Sequence, residues 1–163
     1  MIGDLKLNKE YAQLNHYLED VFVINSMDII KDKPMLEIKG NYLELSDFGQ
    51  GIKSFINIIA SSLLLKDSYL FIDEIENGIH YTNLDKLWEI ILTISKEQNV
   101  QIFATTHSKE CIESYARVAK KLEDNEIGFI ELGRNKKGAI DSVVMDSEMF
   151  QRYVKLGNEV RGW

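Results

Sequence analysis

The stretch Tyr69-Leu70-Phe71-Ile72-Asp73-Glu74 reads as a short apolar strand that ends in two adjacent acids. A continuous apolar run of this length fits a parallel strand covered on both faces. Neighbouring carboxylates at a strand tip point in different directions, so they can do different work. Asp73 can hold Mg2+ directly or through water, while Glu74 can orient and polarise an attacking water. The plain alternative is a solvated loop that happens to begin with two acids, and this pattern alone does not separate the two.

A second run of the same kind, Val100 to Ala104, ends in Thr105-Thr106-His107. Between the two strands, Thr82 and Asp85 have the spacing of a capping box and open a helix through Leu84, Leu87, Trp88, Ile91 and Ile94. After the second strand, Ser108 caps a helix through Cys111, Ile112, Tyr115 and Ala119. Strands alternating with helices predict an α/β fold with a parallel sheet. In such sheets ligands gather beyond the carboxyl ends of the strands. Both polar clusters, Asp73-Glu74 and Thr106-His107, fall there.

Further upstream, Tyr11, Leu14 and Leu18 mark one face of a helix over Asn8 to Asp20, and Val21 to Ile30 is β-rich. Met35 to Ile38 and Tyr42 to Leu45 flank Gly40-Asn41, the pattern of a hairpin with a two-residue turn. The stretch Ile52 to Leu65 is apolar on nearly every side, as in a helix buried between layers. Towards the other end, Glu126 to Leu132 and Ala139 to Met145 read as strands joined by a Gly/Lys-rich turn, and Ser147 opens a last helix that Gly157 can end.

With 163 residues, 45% apolar and 28% charged, the chain has room for one domain with its own core. No composition shift marks a boundary inside it. No apolar run reaches the roughly 18 residues a spanning helix needs, and no basic-then-apolar leader is visible. Cys111 is the single cysteine, which excludes an internal disulfide and fits a reducing compartment, so cytoplasm is the expected location. A net charge of −7 disfavours a nucleic-acid surface over the whole chain, though not a local basic patch.

The segment Asp73-Glu74-Ile75-Glu76-Asn77-Gly78-Ile79-His80 resembles the Walker B motif and following loop of ABC-type ATPases in their OLD-, RecF- and SMC-related branch. Ile75 stands where most members carry proline. Two further stretches resemble the same family in the order it requires. Leu45-Ser46-Asp47-Phe48-Gly49-Gln50-Gly51 is similar to the signature motif, a Ser- and Gly-rich turn at a helix N-terminus, where backbone N–H groups and the helix dipole favour an anion. Thr105-Thr106-His107-Ser108 is similar to the segment carrying the switch histidine. Taken singly, the signature-like stretch reads better as a helix cap with flexible glycines, and the second stretch reads as readily as a histidine capping a helix. Three motifs in one order, each at a strand end or helix start, are not independent accidents. The specific likeness covers residues 44–114. It extends loosely to the hairpin before Ser46 and to the closing Glu159-Val160-Arg161.

The resemblance implies a P-loop NTPase-like fold: a mostly parallel sheet flanked by helices, to which this chain contributes the C-terminal part. In it, residues 1–45 form a helix-plus-hairpin lead-in, residues 46–122 the motif-bearing core, and residues 123–163 the closing strands and helix. It also implies ATP and Mg2+ as ligands, with Asp73 on the metal, Glu74 on the water and His107 on the γ-phosphate. Ser46, Gly49 and Gly51 would bind nucleotide across a head-to-tail homodimer, and His80 matches the loop that helps dimer contact. His16 reads as structural. Some stand-alone bacterial relatives of this kind belong to phage-defence or toxin–antitoxin systems.

A P-loop needs glycine, four residues, then Gly-Lys-Ser/Thr. The nearest stretch, Gly49-Gln50-Gly51-Ile52-Lys53-Ser54, fails because Ile52 separates Gly51 from Lys53 and because Ser46 stands where the first glycine belongs. In the family the P-loop strand lies between the strand leading to His107 and the one beginning near Glu126. The expectation is therefore a sheet with a gap, in a piece of a longer protein, a split-gene product, or a chain that closes the gap by pairing or rearrangement. Alone it should bind triphosphate weakly. Two other readings stand beside the ATPase. A regulatory or interaction module could keep this fold without turnover. A metal-dependent nuclease would need an Asp-x-Asp strand end, which is missing after Leu122.

Overall fold

A computed structural model describes residues 10–135 and 137–157. The beginning of the first helix at Asn8 and the Glu159-Val160-Arg161 stretch lie outside the described residues. The chain falls into two compact units, Met1–Thr105 and Thr106–Trp163.

The first unit opens with α1 (Glu10–Phe22), whose Leu14 and Leu18 are fully buried while His16 lies exposed. A three-stranded antiparallel sheet follows: β1 (Ser26–Ile30), β2 (Lys33–Ile38) and β3 (Asn41–Glu44), in that order. The expected hairpin is present, but its turn sits one residue upstream of Gly40-Asn41. Ile38 pairs with Asn41, so Lys39 and Gly40 make the turn, both at positive φ (50° and 81°). That is the geometry whose twist suits a two-residue hairpin. Asn25 accepts the Lys39 amide and holds the turn from outside.

Next comes α2 (Gln50–Leu64), which packs between α1 and α3 (Leu84–Gln98) and buries Phe55, Ile56, Ile59, Ala60, Ser62 and Leu63. Phe22 meets Phe55 edge-on, with ring centroids 5.0 Å apart. Thr82 does not cap α3. Its hydroxyl and amide turn back to the His80 ring, and a short 3-10 turn, Tyr81–Asn83, leads into the helix. Asp85 still sits in the first turn, where a negative charge suits the helix dipole.

Strands β4 (Ser68–Ile72) and β5 (Val100–Ala104) pair in parallel, with Tyr69 opposite Gln101 and Ile72 opposite Ala104. They are not covered on both faces, as the continuous apolar runs predicted. Tyr69, Phe71 and Phe103 are 65%, 74% and 43% exposed, and Phe71 stacks on Phe103 at 5.1 Å. Both strands alternate inward and outward residues, and no described element of this unit covers the aromatic side.

The second unit contains α4 (Lys109–Lys121), the antiparallel hairpin β6 (Gly128–Arg134) and β7 (Ile140–Asp146), and α5 (Ser147–Lys155). Ser108 accepts the Cys111 amide and caps α4 as expected. Asp146 caps α5, and Gly157, at φ 68°, closes it. Phe150 is fully buried between Phe129 (4.8 Å) and Tyr115 (5.4 Å). Burial, reinforced by the negative charge of Asp124, pushes the Tyr115 hydroxyl up to about 12.

Candidate functional site

Parallel pairing of β4 and β5 puts their carboxyl ends side by side, and this is what assembles the site. Asp73 and Glu74 leave the tip of β4 exposed, while the next residue, Ile75, is fully buried and anchors the loop. The chain must turn sharply between an exposed acid and a buried isoleucine, and Glu74 makes the turn with φ at 47°. A non-glycine residue in the left-handed region costs about 1–2 kcal/mol, so its surroundings must hold it there.

Thr105, at the end of β5, provides that hold. Its amide donates to the Ile72 carbonyl (2.9 Å), and its carbonyl accepts the Ile75 amide (3.1 Å). Its hydroxyl accepts the Glu74 amide (2.9 Å) and donates to Asp73 Oδ1 (2.5 Å). A proline at position 75 could not donate the amide that Ile75 gives to Thr105. The loop then tightens further, with Asn77 bonded to the Glu74 carbonyl and Ile79 to that of Glu76. Sequence reasoning passed over Thr105. Its signal was its place at the end of the strand beside β4, where a short hydroxyl can reach the neighbouring strand tip.

The Ser46–Gly51 turn meets the same loop. Gly49 sits at the N-cap of α2 with no side-chain cap, which leaves the first-turn amides without that partner. Lys53 folds back and donates to the Ser46 carbonyl at 2.9 Å, as fits a residue of the helix start rather than of a P-loop. Gly51 lies directly against Gly78. A methyl group added to Gly51 would collide with the Gly78 carbonyl oxygen, and one added to Gly78 would fall 2.8 Å from the Gly51 nitrogen. Ser46, Gly49, Gly51, Asp73 and Glu74 thus share the first unit, its helix start wedged onto its acid loop. His107 belongs to the second unit, two residues beyond Thr105 in the chain.

Among the described residues no group of three His, Cys, Asp or Glu side chains could cage a metal ion. Mg2+ in phosphate chemistry needs one or two carboxylates, with phosphate oxygens and waters completing the shell. Asp73 fits that sparse demand: an exposed carboxylate with Oδ1 oriented by Thr105. Among the described residues no helix is long and apolar enough to cross a membrane.

Comparisons with known proteins bear on the family and the fold. The sequence profile of the AAA ATPase domain family matches residues 3–112. An ATP/GTP phosphatase of Helicobacter pylori is 30% identical over 120 residues, covering 71% of this chain and 31% of the relative. The chain therefore spans about a third of that relative's length. An uncharacterised protein of Methanocaldococcus jannaschii, MJECL11, is 32% identical over 114 residues, 70% of this chain and 99% of its own. A solved structure from work on ATP-driven dimerisation and DNA-stimulated activation of SMC ATPases superposes with a TM-score of 0.63 over 94% of each chain, at 12% identity.

Proposed function

From the premise that the chain belongs to the AAA ATPase domain family and has the P-loop NTPase-like fold of an SMC ATPase, we propose that it supplies the water- and metal-facing part of an ATP hydrolase. The observation that carries this reading is the acid pair at the tip of a parallel strand, exposed and held in one strained conformation.

Asp73 would hold Mg2+, which when bound neutralises charge on the phosphates. Glu74 accepts a hydrogen bond from the attacking water and takes its proton as the water oxygen bonds the γ-phosphorus and the bond from that phosphorus to the bridging oxygen of the leaving ADP breaks. His107 hydrogen-bonds the γ-phosphate and reports its presence. The amides at the Ser46, Gly49 and Gly51 helix start bind the phosphates held by a second subunit, since an uncapped helix N-terminus favours an anion. The phosphate cradle comes from elsewhere, because no P-loop is present in these 163 residues. Two features support a partner that completes the sheet. Among the described residues β4–β5 and β6–β7 are separate two-stranded ladders, so each strand has one bonded neighbour, and unpaired edges favour a further strand. The exposed Tyr69, Phe71 and Phe103 face adds apolar surface for that partner to cover. It is either the polypeptide carrying the P-loop or a second copy of this chain. A role in phage defence is an extension of the same reading.

Glu74→Gln in the full-length protein tests the proposal. Nucleotide binding is expected to persist while turnover falls by roughly 10²–10⁴-fold, the usual worth of a general base. Turnover equal to wild type would remove Glu74 from the mechanism.

A further inference from the structure

We infer that Thr105 is the positioning residue of the acid pair, its one hydroxyl setting both the Asp73 carboxylate and the Glu74 backbone. The inference rests on the hydrolase reading for its consequence, though not for its geometry. A hydroxyl has one proton to give and lone pairs to receive. Here the proton goes to Asp73 Oδ1 and the Glu74 amide is received in return. Each bond fixes a different thing. The bond to Asp73 turns the carboxylate so that its other oxygen faces away from Thr105 and stays open to a cation, the usual way an outer hydrogen bond orients a ligand. The bond from Glu74 stabilises the left-handed turn at φ 47°, which sets where the Glu74 side chain starts.

The two backbone bonds of Thr105, to Ile72 and from Ile75, fix the hydroxyl in place, because both ends of the residue are tied to the strand and loop it serves. Thr105 is itself exposed, so its side chain does not support the core. Its role is separable from folding. The branched carbon restricts the side-chain rotamer, which holds the hydroxyl on the Asp73 side. The Asp73 carboxylate and the Glu74 backbone are therefore coupled through one atom. A change in how Asp73 is engaged alters the acceptor on which the Glu74 turn depends.

Thr105→Val keeps the branched shape and removes the hydroxyl, whereas Thr105→Ser keeps the hydroxyl. Two readouts separate the possibilities. In the chain itself, amide hydrogen exchange at Glu74 is expected to speed up roughly tenfold in Thr105→Val and to stay near wild type in Thr105→Ser, the melting temperature being little changed in both. In the full-length protein, Thr105→Val is expected to lower kcat and to raise the Mg2+ concentration for half-maximal rate by roughly tenfold or more, with KM for ATP nearly unchanged and Thr105→Ser restoring both. Equal behaviour of the valine and serine variants in the exchange experiment overturns the inference. If exchange responds as described but Glu74→Gln turns over like wild type, the clamp stands and the assignment of Glu74 to the attacking water falls.

Discussion

Replacing Gly51 by alanine sets two opposite effects against each other at one residue. Gly51 is the second residue of α2, where helix propensity alone makes alanine better by about 0.5–1 kcal/mol. The packing says the reverse, since the new methyl would overlap the Gly78 carbonyl oxygen. That obstacle is backbone, not the end of a flexible side chain, and Gly78 is already committed to φ 74° in a loop tied down by Ile75 and Ile79. Relieving such overpacking costs about 1–3 kcal/mol. The net expectation is a loss of about 1–2 kcal/mol, or roughly 2–8 °C in Tm for a chain of this size. Gly49→Ala is the control. A methyl there meets nothing within 4 Å, so the lost cap and the gained unfolded-state restriction nearly cancel, within about 0.5 kcal/mol. Urea unfolding read by Trp88 fluorescence, in a Trp163→Phe background, reports on the first unit, because Trp88 is buried in α3. A Gly51→Ala chain as stable as wild type, or more so, would refute the wedge between the helix start and the acid loop.

The remaining expectations concern the second unit and the open face. Tyr115 titrates above its ordinary value of 10.0, so the folded state holds its proton after the unfolded chain has lost it. The stability this contributes is complete below pH 10, declines as pH rises towards about 12, and can reach about 2 kcal/mol. Denaturant unfolding across that window should therefore fall more steeply for wild type than for Tyr115→Phe, and parallel curves would contradict the burial argument. Phe71→Ser removes a side chain that is 74% exposed, so it should change the unfolding free energy by no more than the aromatic pair with Phe103, about 1 kcal/mol. The same variant should weaken concentration-dependent association in sedimentation, and undiminished association would place the partner elsewhere.

Much of the fold was legible because the signals are local. Apolar runs ending in acids or in Thr-Thr-His marked β4 and β5, and Ser108 marked the start of α4 through a bond three residues long. Where two local signals competed, the sequence reading slipped. Lys39-Gly40 took the turn from Gly40-Asn41 because strand register, set by Ile38 against Asn41, decides which pair is left over. Thr82 was drawn from its helix by the His80 ring next to it.

Residue types and their order along the chain determined the family, the α/β class and the candidate acids, since chemistry of this kind needs particular groups at strand ends. Tertiary structure alone decided what holds them. Thr105 lies 31 residues beyond Glu74 and Gly78 lies 27 beyond Gly51, and no pattern along the chain relates either pair. They meet because parallel strands align their ends and because two residues without side chains let a helix start and a loop approach to backbone contact. The uncovered aromatic face has the same origin. An apolar run states that a strand is to be buried, but what buries it depends on which elements the folded assembly brings to each side.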